Sequence, residues 1–368
     1  MSSVITYKFR IKDATTAKRL IRMAAAVNFV WNYCNETSVK AVKTNSEWLS
    51  AYDLHKLTAE CSSELGLHSH TIQKICTEYA TRRLQFRKLR LNWRSKKRSL
   101  GWIPFKSNGI KIKGDKLVYC KQTFRFWKSR EIDGKVKEGS FVQDARGRWY
   151  VCLQCEVEDK VSNASGAVGI DPGLKDILTL SDGVKFSRES ITKKYEDRLA
   201  RAQRAGKKRL AKAIHAKIAN VRKDWAHKVT TQIAETYKTI CIGDVCSKKL
   251  AKTRLAKSVH DAGWHQIKSL LKYKAKRLGG DCRDTNEKFS TVTCSVCGVR
   301  SGPSGLSALG VRRWSCSACG TEHDRDVNAA RNILIVGLGH QTPIKGIPRL
   351  EPWGGCQGDW RGRVAQWQ

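Results

Sequence analysis

Acid is what this sequence has least of relative to its opposite. Its 368 residues carry 33 Asp plus Glu against 70 Lys plus Arg, a formal charge of +37, far beyond the imbalance that solubility requires. The deficit implies a polyanionic partner. Also missing is any run of about 18 uninterrupted apolar residues, which excludes a membrane-spanning helix, and no membrane partner is expected. The opening residues, Met1-Ser2-Ser3-Val4-Ile5-Thr6-Tyr7-Lys8, lack the charged, apolar and small-residue sections of a secretory signal, so a cytoplasmic protein is expected. Cysteine is not scarce, with 14 in the chain, but most are scattered among apolar neighbours. Without a signal for export they read as reduced thiols, and the few that cluster read as metal ligands.

The length suggests two or three domains at roughly 150 residues each. Hydrophobic residues at 40% and 12 Trp argue for folded structure instead of a disordered basic tail. Ile5, Tyr7, Phe9 and Ile11 alternate with polar residues and predict a half-exposed strand. Leu20, Met23, Ala24, Val27, Trp31 and Cys34 then fall on one stripe of a helix. From Arg82 to Arg98 nine basic residues and no acid are interleaved with Phe86, Leu89, Leu91 and Trp93, which predicts a folded element with a cationic side suited to phosphates. Short alternating runs between Leu100 and Val157, broken by turns such as Asp133-Gly134, predict a β-rich unit. Cys152 and Cys155 lie inside one of these strands, where residues three apart face opposite sides, so they read as buried thiols.

Ser162 to Gly166 reads as a linker, and after it strand and helix patterns alternate as in an α/β domain. A long helix is predicted over Thr192 to Tyr237, with Ile214, Ile218, Val221, Trp225 and Val229 on one stripe. Thirteen Lys or Arg lie between Lys193 and Lys228. The expected boundaries are 1–161 for a β-rich nucleic-acid-binding domain with a helical insertion and 165–336 for the α/β domain. The tail, 337–368, lacks periodicity and is expected to be disordered.

Two groups of residues carry chemistry. Cys294-x-x-Cys297 and Cys316-x-x-Cys319 are knuckles separated by eighteen residues, each followed by Gly. Four thiolates make a closed tetrahedral Zn2+ site with no position for a substrate, so this zinc is structural and any chemistry lies elsewhere. The second group is acidic. Ala167 to Ile170 is an apolar strand that ends on Asp171 at a Pro172-Gly173 break, and Asp324 and Asp326 open a short helix. An acid set in an apolar strand is costly unless it is paired or holds a cation, and carboxylate oxygens suit hard divalent ions. Each could equally cap a turn or a helix.

In order along the chain, Gly169-Ile170-Asp171-Pro172-Gly173, Asn286-Glu287-Lys288-Phe289-Ser290, the two knuckles and Asp324-Arg325-Asp326-Val327-Asn328-Ala329-Ala330 resemble the TnpB (OrfB) family. Its members are transposon-encoded RNA-guided DNA endonucleases similar to the ancestors of type V CRISPR effectors. The resemblance covers roughly residues 165 to 336 with specific motifs and is looser over 1 to 160. It implies a multidomain α+β protein with an N-terminal β-barrel-like unit carrying a helical insertion. An α/β RNase H-like (RuvC) nuclease domain follows, with a four-cysteine zinc ribbon inserted over about 290–322. Two Mg2+ ions, a guide RNA encoded by the element and a double-stranded DNA target are implied as well, in a prokaryotic cytoplasm.

One position departs from the family pattern. The second carboxylate is usually a Glu within a strand followed by Asp, and the matching strand, Thr239 to Val245, has Gly243 in the Glu position. Asp244 faces the wrong way in a regular strand. Glu287, near the end of the strand expected alongside, is the candidate replacement, so the expected catalytic and magnesium-binding set is Asp171, Glu287 and Asp326. Two rivals follow: a nuclease-dead RNA-guided DNA-binding repressor, and a zinc-ribbon DNA-binding transposase accessory protein without guide RNA.

Overall fold

The computed structural model describes residues 2–12, 14–159, 163–246, 250–305 and 307–339. The tail expected to be disordered therefore lies outside the described residues from 340 onward. No helix among the described residues is long and apolar enough to cross a membrane. The fold is mixed α/β in two compact units, Met1–Glu158 and Asp159–Gln368.

In the first unit, strand β1 (Ser2–Arg10) buries Tyr7 and Phe9 and turns Thr6, Lys8 and Arg10 outward. It forms the edge of a four-stranded antiparallel sheet with β7 (Trp149–Glu158), β6 (Lys135–Gln143) and β2 (Trp102–Lys106). Strands β3 (Ile110–Lys113), β4 (Lys116–Tyr119) and β5 (Gln122–Arg125) form a second sheet. Phe105, Phe124 and Tyr119 crowd the ring of Phe141 at 4.9–5.9 Å between centroids, so both sheets share one aromatic core. Along β7 burial alternates. Cys155 is buried and Cys152 half-buried on the other face, so the two thiols cannot share an ion.

Helices α1 (Ala14–Asn45), α2 (Ala51–Leu57), α3 (Ser62–Leu65) and α4 (Ser69–Phe86) are inserted between β1 and β2. The apolar stripe of α1 is buried as its spacing requires. The basic stretch from Arg82 behaves differently from expectation. Helix α4 ends at Phe86, with Arg87 in the left-handed conformation, and of the four apolar residues only Leu91 is buried. What holds the segment is polar. Asn35 exchanges side-chain hydrogen bonds with Leu91 N–H and C=O, Asn32 does the same with Arg94, and Asn28 accepts from the Arg94 guanidinium, all at 2.8–3.0 Å. Amide side chains one helical turn apart thus pair with an extended backbone as a neighbouring strand would. Arg83 is buried and donates to the Leu49 carbonyl at 2.7 Å, and the remaining cations stay exposed.

In the second unit, β10 (Lys185–Ser187), β9 (Asp176–Leu180) and β8 (Ala167–Asp171) run antiparallel. The sheet continues with β11 (Thr239–Gly243) and β12 (Asp281–Thr285), both parallel to β8. The helix expected over Thr192 to Tyr237 is two helices, α5 (Ile191–Arg204) and α6 (Lys208–Thr236), because Gly206 at φ +62 breaks it. They pack through Ile191, Ala202, Ile214 and Ile218. Val221, expected on the packed stripe, is exposed. Every Lys and Arg between Lys193 and Lys217 is exposed. Helices α7 (Ala256–Ala262) and α8 (Trp264–Arg277) follow, and α8 buries Ile267, Leu271 and Ala275 against the sheet core with α6.

The last helix, α9 (Arg325–Gly337), lies against β8 at a distance only glycine permits: a Cβ on Gly169 would strike the Ala330 carbonyl oxygen. Backbone cannot step aside as a flexible side chain can. Gly169→Ala is therefore expected to destabilise the protein by about 2–3 kcal/mol, read by denaturant unfolding. An unchanged midpoint would show that α9 does not need this approach.

Candidate functional site

Strand β8 delivers Asp171 to the end of the sheet, where Pro172 and Gly173 turn the chain and the Trp264 indole donates to the Gly173 carbonyl at 3.1 Å. The adjacent strand β11 ends at Gly243, and beyond it β12 ends at Thr285, two residues before Glu287. The parallel register thus brings the ends of three strands to one edge. Gly243 shows what fills the space between them. A Cβ built there would lie 2.5 Å from Glu287 Oε2 and 3.1 Å from Pro172. The Glu287 carboxylate therefore stands where a side chain of residue 243 would stand.

Asp326 enters from α9. Asp324, not Asp326, caps that helix, accepting from the N–H groups of Asp326 and Val327 at 3.0 and 3.1 Å. The Asp326 side chain is thereby free to take the Arg312 guanidinium at 3.1 Å. Lys185 pairs with Asp324 at 2.7 Å.

Asp171 senses the other two carboxylates. Asp171 is half-buried, and its carboxyl is pushed up to about 7, first by burial and then by the charges of Asp326 and Glu287, with Arg325 opposing. Burial likewise raises Glu287, followed by the charge of Asp244, while Lys268 opposes. Asp244, exposed beyond the strand, accepts the Glu287 backbone N–H at 3.3 Å. It fixes the loop that carries Glu287 instead of joining the cluster. A buried carboxylate raised by the charges of two neighbouring carboxylates is one that a hard divalent cation, which takes oxygen donors, would relieve. The spacing of these carboxylates is looser than that of the four cysteines, the one group of at least three acidic, His or Cys ligand atoms within 4.8 Å of one another among the described residues.

Those cysteines fit a tetrahedral ion. Cys294 and Cys319 sulfurs lie 3.7 Å apart and those of Cys297 and Cys316 3.5 Å, against an edge of about 3.8 Å for a zinc tetrahedron with Zn–S near 2.3 Å. The cluster could hold a metal such as zinc. Two groups outside the spacing pattern contact the sulfurs. Ser301 Oγ donates to Cys316 Sγ at 3.1 Å, and buried His323 places Nε2 3.1 Å from Cys294 Sγ. His323 is missed by spacing because it reaches the cluster from β14 (Glu322–Asp324), paired with β13 (Arg313–Ser315).

The comparisons with known proteins bear on both groups. Residues 150–254, which include Asp171 and Gly243, match the OrfB_IS605 model, a family of probable transposases, and residues 264–333, which include Glu287, the cysteines and Asp326, match the Cas12f1-like TNB domain. A Streptomyces pristinaespiralis protein provisionally named RNA-guided DNA endonuclease is 29% identical, over 93% of this chain and 90% of its own length. A TnpB-like protein of Acanthamoeba polyphaga mimivirus is 24% identical, over 89% of this chain and 67% of its own. Over these segments the chain is similar to the TnpB (OrfB) family. Its fold is also similar to that in a cryo-EM structure of a Cas12f1–sgRNA–target DNA complex, with TM-score 0.56, 11% identity and coverage of 90% of this chain and 98% of that one.

Two asparagines hold the site together, and motif reading alone assigns them nothing. Asn328 and Asn332, four residues apart on α9, both donate to the carbonyls of Ser290 and Thr293 at 2.7–3.2 Å, and Asn328 Oδ1 accepts from Ser295 N–H at 2.9 Å. The helix that carries Asp326 is thus bonded to the turn between Glu287 and Cys294.

Two predictions follow from this geometry. The Asp171 value in the folded protein exceeds its ordinary 3.8, so protonation favours folding, a benefit present below about pH 4 and lost as pH rises through 7. Without divalent cations, Asp171→Asn should stabilise the protein at pH 8 by about 2–4 kcal/mol and by nothing near pH 3. Melting curves check this, and added Mg2+ should raise the parent's melting temperature at pH 8 more than the variant's. Equal melting of both proteins at pH 8 would mean that Asp171 is not raised above its ordinary range by burial or by its acidic neighbours. For the cysteines, Cys294→Ser or Cys316→Ser should lower zinc content and cost about 3 kcal/mol or more, read by metal analysis and unfolding.

Proposed function

We propose that the chain is an RNA-guided DNA endonuclease of a mobile element, hydrolysing DNA phosphodiesters at a RuvC-like centre of Asp171, Glu287 and Asp326. The observation that carries this reading is the Glu287 carboxylate in the space of the missing residue 243 side chain. Gly243 taken alone favours a nuclease-dead, RNA-guided DNA-binding repressor. A carboxylate supplied to the same place from the neighbouring strand weighs against it.

The sheet order, antiparallel through β10, β9 and β8 and parallel through β11 and β12, supports an RNase H-like domain over about 165–336. The aromatic core shared by the two sheets of the first unit supports a barrel-like domain over about 1–161. Asp171, Glu287 and Asp326 would hold two Mg2+ ions, with Asp171 between the other two acids. Bound there, the metal ions supply water activation and charge neutralisation at the phosphodiester. Asp171 presents its carboxylate from the rigid strand, and Asp244 orients the loop bearing Glu287. Asp324, by capping α9, frees Asp326 to face inward. Arg312, paired with Asp326, balances charge in the absence of a divalent ion. Zn2+ on the four cysteines is structural, since no fifth position serves a substrate.

Guide RNA encoded by the element and double-stranded target DNA are the polyanions that the +37 charge serves. The exposed cations of α5, α6 and the 87–98 segment would follow phosphates. Target choice comes from base pairing with the RNA and from a short flanking motif read by the protein. The relatives named for RNA-guided cleavage support this, and the work would take place in the cytoplasm on the host's DNA.

Cleavage of matched plasmid DNA by the protein purified with its own RNA tests the reading. Glu287→Gln, which keeps shape and removes charge, should slow Mg2+-dependent cleavage on the order of 100-fold or more while the RNA still co-purifies. Gly243→Ala, whose methyl group meets Glu287 Oε2, should give an intermediate loss, and Asp244→Asn a milder one. Parental cleavage by Glu287→Gln would remove that residue from the centre. A parent that binds its target but never cuts, across randomised flanking sequences, would favour the repressor.

A further inference from the structure

We propose that Phe289 is a stacking platform for an unpaired base of the DNA strand entering the centre. The inference rests on the reading of Asp171, Glu287 and Asp326 as a DNA-cleaving site and adds a contact to the substrate strand.

Phe289 is placed against both of its own interests. Its side chain is 44% exposed, so it gains little from burial. Its φ is +64, and among the described residues it is the one aromatic in the left-handed region. That conformation costs a bulky side chain about 1–2 kcal/mol. Glycine would adopt it freely.

The surroundings impose the conformation. Ser290 N–H donates to the Glu287 carbonyl at 3.1 Å, and Val292 and Thr293 N–H both donate to the Phe289 carbonyl, at 3.2 and 3.0 Å. On one side Asp244 holds the Glu287 N–H, and on the other Asn328 and Asn332 hold the Ser290 carbonyl. A tightly held backbone that carries a strained, exposed ring indicates a ring kept for something outside the fold.

The neighbours indicate what that is. The Arg300 guanidinium lies 4.1 Å from the ring centroid and the Lys288 ammonium 5.0 Å. An apolar peptide gains nothing from two cations at its contact. A nucleotide suits both features, because its base has a π-face for the ring and its phosphate is an anion for the cations. Arg300 backs the ring and can extend the stack with its own planar group. Lys288, long and exposed, can leave the ring for a phosphate. In a duplex both base faces are already stacked, so the ligand is single-stranded. Phe289 follows Glu287 by two residues, a Cα separation of at most about 7 Å, so the stacked base belongs to a nucleotide close to the scissile phosphate.

The test pairs the ring with the base. Single-stranded DNA matched to the guide is prepared with one abasic nucleotide at each position around the cut. In the parent, one abasic position should slow cleavage about tenfold, the lower part of the range for one base stacked on an aromatic side chain. Phe289→Gly should slow cleavage of the intact strand about as much and be indifferent to that abasic position, and Phe289→Trp should keep the sensitivity. Phe289→Gly should also melt no lower than the parent, because glycine removes the strain. A purely structural ring predicts the opposite. In parallel, an oligonucleotide carrying 5-iododeoxyuridine at that position is irradiated on the full protein–RNA complex in Ca2+, and the crosslinked peptide is mapped by mass spectrometry. Crosslinking at Phe289 supports the platform. Undiminished abasic sensitivity in Phe289→Gly, or crosslinking that avoids Phe289, overturns it. A parent that fails to cleave would overturn the reading of the centre instead; the iododeoxyuridine is then walked along the strand, and the crosslink decides the platform by itself.

Discussion

Everything at the candidate site depends on how α9 is held. The helix lies against β8 because residue 169 has no side chain, and it grips the 290–293 backbone through Asn328 and Asn332. Three segments far apart in the chain are joined in this way: the strand that ends in Asp171, the loop that carries Glu287, and the helix that carries Asp326. The amides are buried and their hydrogen bonds made, so releasing one would strand polar groups at a cost of about 1–3 kcal/mol each. The cysteine knuckle is part of the same assembly. Cys294 follows the clamped turn directly, and His323, which contacts its sulfur, precedes the residue that caps α9. A metal on the cysteines would therefore stiffen the loop of Glu287 as well as its own knuckle.

The electrostatics of the second unit divide along the same lines. Around the acids the cations are few and engaged, with Arg312 on Asp326 and Lys185 on Asp324. On α5 and α6 the cations stand exposed apart from Arg222, which pairs with buried Asp261 at 2.9 Å, and a few have surface partners, as Lys228 has in Asp224. Surface pairs of this kind contribute little, so most of that positive charge is available to a polyanion. An acid cluster that repels itself and a basic surface that repels itself are both relieved by ligands, a cation for one and a phosphate chain for the other.

Where a short-range rule suffices, the sequence was legible. The α1 stripe, the alternation in β1 and β7 and the opposed faces of Cys152 and Cys155 follow from periods of 3.6 and 2. The cysteine spacing led directly to four sulfurs within reach of one ion. Local pattern failed where tertiary contacts or a single residue decided the matter. Gly206 divides a helix whose apolar spacing runs through the break. The Arg82 to Arg98 segment is apolar enough to suggest a packed face, yet Asn32 and Asn35 on α1 hold its backbone at Arg94 and Leu91, and its rings stay outside.

Gly243 shows the division most clearly. The chain by itself determined that a carboxylate was absent there and that Glu287 came near the end of another strand, because both facts concern residue identity and distance along the sequence. Whether that acid reaches the vacated space depends on the parallel register of β11 and β12 and on the turn after Thr285. So do the near-neutral pKa of Asp171, the approach of His323 to the cysteines and the backbone strain at Phe289. Each arises from atoms brought together across tens to more than a hundred residues, and such distances are set by packing, which no local pattern encodes.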